Sequence, residues 1–161
     1  MFSKFEQVVQ GIVQHYNPKK YWKYRQKVIS NQGSRIINII RLGYIKRCDA
    51  FNNASMGTHL GYGAQFASTP SFPHGLNGII VSHNAIVGEN CRIFHQVTIG
   101  EGRGGAPTIG NNVLLGAGSK IIGGVHLGNN VKIAAGCVVM EDIPDNAVVL
   151  PGENRTVIKE Q

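Results

Sequence analysis

Two histidines stand where their side chains could do chemistry. His74 lies in the run Pro73-His74-Gly75, and His95 lies in the run Phe94-His95-Gln96. Imidazole titrates near neutral pH, so a positioned histidine can accept the proton of a hydroxyl group while that oxygen attacks. Such help typically accelerates a reaction by about 10²–10⁴-fold. A lone histidine is also often structural, so the elements that hold these two side chains decide what they can do.

A six-residue repeat runs through the second half of the chain. An aliphatic residue recurs at every sixth position, apart from one step of six plus four, at Val81, Val87, Ile93, Ile99, Ile109, Leu115, Ile121, Leu127, Ile133 and Val139. A second column of small or β-branched residues follows four positions later, at Ala85, Cys91, Val97, Val113, Ser119, Val125, Val131 and Cys137. A period of six matches neither a helix nor strand alternation. It predicts a parallel β-helix in which each hexapeptide forms one side of a triangular coil.

Three hexapeptides make one coil, so residues 18 apart should stack once the inserted loop is allowed for. The predicted internal columns are Val81, Ile99, Ile121 and Val139; Val87, Ile109 and Leu127; and Ile93, Leu115 and Ile133. Tight corners that tolerate positive φ are predicted after the middle column, at residues 88–90, 110–112 and 128–130. Residues 49–78 are predicted to form a first, irregular coil.

The N-terminal third is predicted to be helical and basic. Ser3 and Glu6 form a capping-box pattern, and Asn17-Pro18 ends the helix that follows. A second helix is predicted over about residues 19–30, and a third from a Ser34 cap to about Cys48. Residues 1–48 hold ten Lys and Arg against one Glu, whereas the rest of the chain carries −2, which together give the net charge of +7. We therefore divide the chain into a basic α-helical segment, residues 1–48, and a β-helix domain with a short C-terminal tail, residues 49–161.

Composition bounds the class of protein. A chain of 161 residues that is 42% apolar fits one domain with a small appendage. The spacing of its three cysteines suggests no disulfide pairs, and no secretory signal sequence is recognisable at the start of the sequence. We therefore expect a reduced, cytoplasmic protein. No apolar run approaches the roughly 20 residues that span a bilayer.

Five runs of the repeat region resemble the serine acetyltransferases and the related sugar and capsule O-acetyltransferases. These are hexapeptide-repeat acyltransferases, and the matching runs are residues 73–81, 93–100, 107–110, 116–123 and 134–139. The resemblance implies a mainly β fold, namely a left-handed parallel β-helix of hexapeptide repeats with an N-terminal α-helical segment. It also implies an acetyl-CoA-dependent O-acetyltransferase, with acetyl-CoA as co-substrate and no metal.

The same resemblance assigns catalytic roles. His74 matches the general base that deprotonates the acceptor hydroxyl as it attacks the thioester of acetyl-CoA. Such a base needs an orienting partner, and Asn53 falls at the position of the family's partnering aspartate. An amide oxygen can accept the ring N–H but does not stabilise an imidazolium by charge. Two roles fit His95. In the first, it binds the acceptor or the acetyl oxygen. In the second, it is a structural histidine stacked on one face of the coil with Ala117 and Ala135.

Substrate contacts are implied in two places. Small side chains leave room for pantetheine along the coil, and the implied acetyl-CoA contacts are Gly116, Ala117, Gly118, Ser119, Lys120, Ala134, Ala135, Gly136 and Arg155. The inserted loop, residues 101–106, is glycine-rich and suits a flap over the acceptor. Arg103 and Ala106 are therefore predicted to bind the acceptor.

Two departures from the serine acetyltransferases favour another acceptor. The histidine that precedes proline in those enzymes is Ala106 here, and the sequence ends at residues 159–161 without their long tail. We therefore expect acetyl transfer to a sugar or polysaccharide precursor, as in polysaccharide biosynthesis. Serine O-acetylation for cysteine biosynthesis is the first alternative, and a catalytically silent β-helix that binds a partner or serves as a structural module is the second.

Partners follow from shape and charge. The flat-sided repeat and the family's habit indicate a homotrimer with active sites between neighbouring β-helices. The basic residues accompany no nucleic-acid recognition motif, so nucleic-acid binding is not expected. An excess of +9 in residues 1–48 suits a peripheral contact with an anionic membrane surface.

Overall fold

The computed structural model describes residues 15–152, and it places two helices before a parallel β-helix. Helix α1 spans Pro18–Ile29 and helix α2 spans Arg35–Phe51. Asn17 caps α1, since its side chain accepts a hydrogen bond from the backbone N–H of Lys20 at 3.0 Å. Ser34 precedes α2 but makes no side-chain capping bond. Neither helix is long and apolar enough to cross a bilayer.

Fourteen short strands follow the helices in the described part of the chain. They are β1 Thr58–His59, β2 Tyr62–Gly63, β3 Gln65–Phe66, β4 Ile80–Val81, β5 Ile86–Val87, β6 Arg92–Ile93, β7 Thr98–Gly100, β8 Thr108–Ile109, β9 Leu114–Leu115, β10 Lys120–Ile122, β11 His126–Leu127, β12 Lys132–Ile133, β13 Val138–Val139 and β14 Val148–Val149. Strands β1 and β2 form an antiparallel hairpin. The other twelve form three parallel sheets, ordered β4-β7-β10-β13, β3-β5-β8-β11 and β6-β9-β12-β14. The predicted mainly β fold with a parallel β-helix is confirmed.

The core of the β-helix consists of the two predicted columns. Strand pairing aligns Ile99 with Ile121, Ile109 with Leu127, and Leu115 with Ile133, as the 18-residue stacking requires. Every aliphatic of the first column is at most 3% exposed, and every residue of the second column is at most 8% exposed. The irregular first coil adds Phe66 and the last coil adds Val149, which pair with Val87 and Ile133. The period of six therefore reports which side chains point inward.

One corner of the coil is held by an asparagine ladder. Four asparagines adopt positive φ between 55° and 62° at equivalent positions, namely Asn90, Asn112, Asn130 and Asn146. The side-chain amides of the first three donate to the amide oxygen of the asparagine in the next coil, at 3.4, 3.1 and 3.0 Å. A methyl group at Gly88 would lie 2.5 Å from the carbonyl oxygen of Gly110, so the glycine beside this ladder is required by the coil spacing. The predicted corners are confirmed, and they join neighbouring coils.

The ladder predicts how substitutions at Asn112 affect stability. Asn112→Ala loses two ladder bonds and leaves alanine at φ of 58°, a conformation that alanine tolerates less well than asparagine, so we expect a loss of about 1–3 kcal/mol in unfolding free energy. Asn112→Gly loses the same hydrogen bonds but tolerates the backbone, so its loss should be smaller. Chemical denaturation of the two variants measures both losses in unfolding free energy. Equal losses would mean that backbone conformation contributes nothing at this corner.

A buried polar network joins the helices to the first coil. The guanidinium of Arg25 donates to the carbonyl oxygens of Met56 and Ala64 and to the hydroxyl of Thr58. The Tyr21 hydroxyl donates to the Asp49 carboxylate at 2.6 Å. Burial lowers the pKa of Arg25 to about 10 and raises that of Asp49 above its usual range, although the bond from Tyr21 opposes the second shift. The helices and the β-helix therefore share one interior.

Asp49 predicts a pH dependence of stability. Because burial raises its pKa in the folded state, the native protein holds this proton more tightly than the unfolded chain does. Its contribution to stability is therefore fully present below the unfolded pKa of about 4 and is lost as pH rises through the folded pKa. Asp49→Asn keeps an oxygen for the Tyr21 hydroxyl and removes the titration. We expect it to unfold with equal or higher free energy at neutral pH and with a flatter dependence on pH, measured by denaturant titration. A large loss of stability at neutral pH would instead show that the native state needs the charged carboxylate.

Candidate active site

The two histidines singled out from the sequence lie against each other. The rings of His74 and His95 are perpendicular, with centroids 5.0 Å apart, and the ring of Phe94 lies 5.7 Å from that of His74. His74 is exposed, whereas His95 is half-buried. The Nδ1 atom of His95 is buried and has no hydrogen-bond partner among residues 15–152. This corner therefore presents one solvent-accessible imidazole beside one that is partly enclosed.

Local backbone contacts fix the position of His74. Ser71 bridges to Arg92, and the backbone N–H of Ile93 donates to the carbonyl of Ser71 at 2.9 Å. The chain then turns, since the N–H of Gly75 donates to the carbonyl of Phe72 at 3.1 Å and Gly75 adopts φ of 69°. Leu76 is fully buried directly after this turn. His74 is thus held at the tip of a turn that is anchored on both sides.

His95 belongs to a corner that repeats in the coils on either side. The N–H of Gly118 donates to the carbonyl of His95 at 3.0 Å, and the N–H of Gly136 donates to the carbonyl of Ala117 at 2.9 Å. This is the predicted stack of His95, Ala117 and Ala135. A β-carbon at Gly118 or Gly136 would meet nothing within 4 Å. The coils beyond the histidines therefore leave open space along one edge of the β-helix.

The residues predicted to contact acetyl-CoA divide into two groups. Ala117, Gly118, Lys120, Ala134, Ala135 and Gly136 are exposed or half-buried at or beside this edge. Ser119 is fully buried and its hydroxyl points into the β-helix, so its side chain is not available to a ligand on the outer face. Gly116 is also buried, and a β-carbon there would lie 2.6 Å from the backbone nitrogen of Ala135. These two positions serve the packing of the coils. Arg155 lies outside the described residues.

The inserted loop is built as a small hairpin on another corner. Gly102 and Gly105 exchange backbone hydrogen bonds of 2.9 and 3.1 Å, and the carbonyl of Arg103 accepts from the N–H of Gly124. The Glu101 carboxylate accepts from the Ser82 hydroxyl at 3.2 Å and the Asn84 amide at 3.1 Å. The Arg103 side chain is exposed. The loop is therefore anchored to the coils on either side of it while it presents a cation.

One chain does not bring all the predicted residues together. His95 and Glu101 lie on opposite sides of strand β7, which separates them along the chain. Asn53 follows α2 with φ of 49° and is exposed. In the part of the chain that the structure describes, no hydrogen bond or ring contact joins His74 to Asn53, Arg103 or Ala106. The orienting role of Asn53 and the acceptor contacts of the loop remain predictions.

Sequence reasoning missed two contributors to this region. Phe94 packs its ring against His74, although the sequence marks it only as the residue before His95. Glu101 anchors the loop, and its position as the first residue after strand β7 was the available signal. Among residues 15–152, no three His, Cys, Asp or Glu side chains lie together as a metal site would require.

Comparisons with known proteins agree with this architecture. Residues 106–140 match the family model described as bacterial transferase hexapeptide (six repeats). The serine acetyltransferase of Synechococcus elongatus is 36% identical over 108 residues, which is 64% of this chain and 43% of that protein. The chain therefore spans less than half the length of this curated relative.

Solved structures give the same relationship. The serine acetyltransferase from Brucella abortus is 29% identical and superposes with a TM-score of 0.61, covering 82% of this chain and 50% of that one. A serine acetyltransferase solved in complex with CoA is 24% identical, with a TM-score of 0.64 over 81% of this chain and 50% of that one. At that identity the second likeness shows the fold alone.

These relatives overturn the acceptor predicted from the sequence. The preference for a sugar hydroxyl and for polysaccharide biosynthesis is wrong, because the relatives are consistently serine acetyltransferases. That preference rested on Ala106 and on the end of the sequence. Ala106 is one half-buried residue at the end of the loop, and residues 159–161 lie outside the described part. The chain is a hexapeptide-repeat parallel β-helix protein related to the serine acetyltransferases.

Proposed function

We propose that this chain is an acyltransferase that moves the acetyl group of acetyl-CoA to the hydroxyl oxygen of L-serine. The observation that carries the proposal is the pair of His74 and His95 at the end of an edge lined by small residues. An accessible imidazole lies at one point of this edge, and beyond it the side chains of Ala117 and Ala135 leave space for an extended ligand. The named relatives are serine acetyltransferases, which supports serine as the acceptor and acetyl-CoA as the donor.

The chemical step assigns one proton transfer to His74. A ring nitrogen of His74 accepts the proton of the serine hydroxyl while the oxygen attacks the thioester carbon. The carbon–sulfur bond then breaks, and the proton passes from the imidazolium to the departing thiolate. The products are O-acetylserine and CoA. Lys120 is exposed near the same edge, and its ammonium is available to the phosphates of CoA.

The active site is completed between two chains of a homotrimer. Strand β7 separates the loop that carries Arg103 from His95, and no hydrogen bond or ring contact joins Arg103 to His74 or His95 among the described residues, so we place this loop against the histidine pair of a neighbouring molecule. The flat outer faces of the sheets suit such an arrangement, since Ile80 and Val138 are 42% and 60% exposed on one of them. In a cyclic trimer each of the three sites would then receive Arg103 from a partner.

The trimer predicts a mass and a complementation result. Light scattering at micromolar concentration should give three times the chain mass of 17.4 kDa. If loop and histidine come from different chains, mixing inactive His74→Ala and inactive Arg103→Ala proteins under exchange conditions should restore part of the activity. A monomeric mass, or no restored activity in verified mixed trimers, would contradict the composite site.

An acceptor panel tests the proposed reaction. The full chain is incubated with acetyl-CoA and, separately, with L-serine, L-threonine, glycine or buffer, and thiol release is followed. We expect release with serine well above that with glycine, which lacks the hydroxyl group. Release that is independent of the acceptor would indicate hydrolysis. No release with any acceptor, from a folded trimer, would favour the silent β-helix considered from the sequence.

A further inference from the structure

The outer face of helix α2 combines large apolar side chains with cations. Four isoleucines in its first half are between 47% and 70% exposed, namely Ile36, Ile37, Ile39 and Ile40. We call them the isoleucine face. At 100° per residue, Arg47 falls between Ile36 and Ile40 on the helix surface, and Arg35 and Lys46 fall beside Ile39. All three cations are exposed. The other side of the helix is buried through Asn38, Ile45 and Cys48.

No exposed carboxylate offsets these cations on the two helices. Residues 18–51 hold nine Lys and Arg, and their single acid, Asp49, is 3% exposed and bonded to Tyr21. Lys20 adds a further exposed cation next to α2, with its ammonium 4.5 Å from the centre of the Tyr44 ring. The surface around the isoleucine face is therefore positive throughout the described helices.

This distribution of charge argues against a second copy as the partner. Pairing the isoleucine face with itself would bring Arg35, Lys46 and Arg47 of both copies together without an exposed carboxylate on either helix to neutralise them. Apolar side chains flanked by Lys and Arg are instead the composition of helices that lie in the plane of a membrane interface. There the apolar groups enter the boundary of the acyl chains while the cations meet anionic headgroups. Each cation contributes about 1 kcal/mol to the free energy of binding.

We infer that the isoleucine face, with Arg35, Lys46 and Arg47, docks the protein on an anionic lipid bilayer. The helix lies along the surface with its isoleucines inserted, and the β-helix extends away from it. This binding is independent of the proposed acetyl transfer, because His74 and the small-residue edge belong to the β-helix. It also assigns a function to the basic residues of the helices, which have no role in the proposed active site.

Vesicle sedimentation of the full chain tests the inference. The protein should partition onto phosphatidylglycerol vesicles at low ionic strength and not onto phosphatidylcholine vesicles. About 1 M salt shortens the Debye length to roughly 3 Å and should weaken the binding. Lys46→Gln with Arg47→Gln should lower the partition coefficient roughly 25-fold, or about fivefold for each cation. Ile36→Ser with Ile40→Ser should lower it at least roughly tenfold.

Matched variants on the β-helix provide controls. Arg92→Gln removes an exposed cation, and Leu150→Ser removes an apolar side chain that is 71% exposed. Both should bind vesicles like the wild type. The inference is overturned if the wild type does not bind anionic vesicles at low salt, or if the controls weaken binding as much as the α2 variants do. It is also overturned if Ile36→Ser with Ile40→Ser changes the mass by light scattering but leaves partitioning unchanged, since the face would then join copies of the chain.

Discussion

Replacing His74 by alanine is expected to lower kcat for serine acetylation by about 10²–10⁴-fold, with little change in the free energy of unfolding. The imidazole is exposed at the tip of a turn and lies outside the internal columns, so its removal opens no cavity. The loss should appear mainly in kcat, because the proton is transferred in the transition state. KM for acetyl-CoA should change little, since the edge that would hold the donor remains intact.

A matched histidine gives the control for this variant. His126 is exposed on strand β11, and its side chain makes no contact with His74 or His95 in the described residues. His126→Ala should retain kcat within a factor of about two. If His74→Ala kept near-full activity while His95→Ala lost it, the base would be His95. If both variants retained activity, neither imidazole would be the base.

Truncation of the internal columns should have the largest effect on stability. Ile109 and Leu127 stack in adjacent coils and are 2% and 0% exposed. Ile109→Ala and Leu127→Ala should each lower the free energy of unfolding by roughly 2–5 kcal/mol, because the coils on either side limit how far the cavity can collapse. Val148→Ala is the control, since Val148 lies on the outside of the same β-helix, on another sheet from Val138, and is 60% exposed. Denaturant titration of the three variants measures these changes in the free energy of unfolding. Equal midpoints would contradict the assignment of inward-facing positions.

Much of the β-helix was predictable because each position of the hexapeptide has one physical requirement. Aliphatic residues fill the interior, and Asn112 or Gly118 appears where φ must be positive. These requirements are local and recur every six residues. The sequence alone therefore predicted the columns, the corners and the inserted loop, all of which the structure contains.

Contacts between distant segments were less predictable. In the sequence, Ser119 fits both the inward-facing column and the predicted acetyl-CoA contacts. In the structure its side chain is buried inside the β-helix. From the sequence, Arg25 was only one of the ten Lys and Arg in residues 1–48, although its spacing from Tyr21 and Val28 places the three on one buried side of α1. The approach of Phe94 to His74 joins residues 20 apart and depends on the irregular first coil, which carries little of the repeat.

The proposed reaction is tested most directly by following the acetyl group itself. Acetyl-CoA labelled with an isotope at the carbonyl carbon is incubated with L-serine and either the wild type or His74→Ala, and the label is observed by NMR. We predict that the wild type moves the label from the thioester to an oxygen ester of serine, and that His74→Ala does so about 10²–10⁴-fold more slowly. A folded wild-type trimer that leaves the label in the thioester, or releases it only as acetate, would contradict the proposed serine O-acetyltransferase.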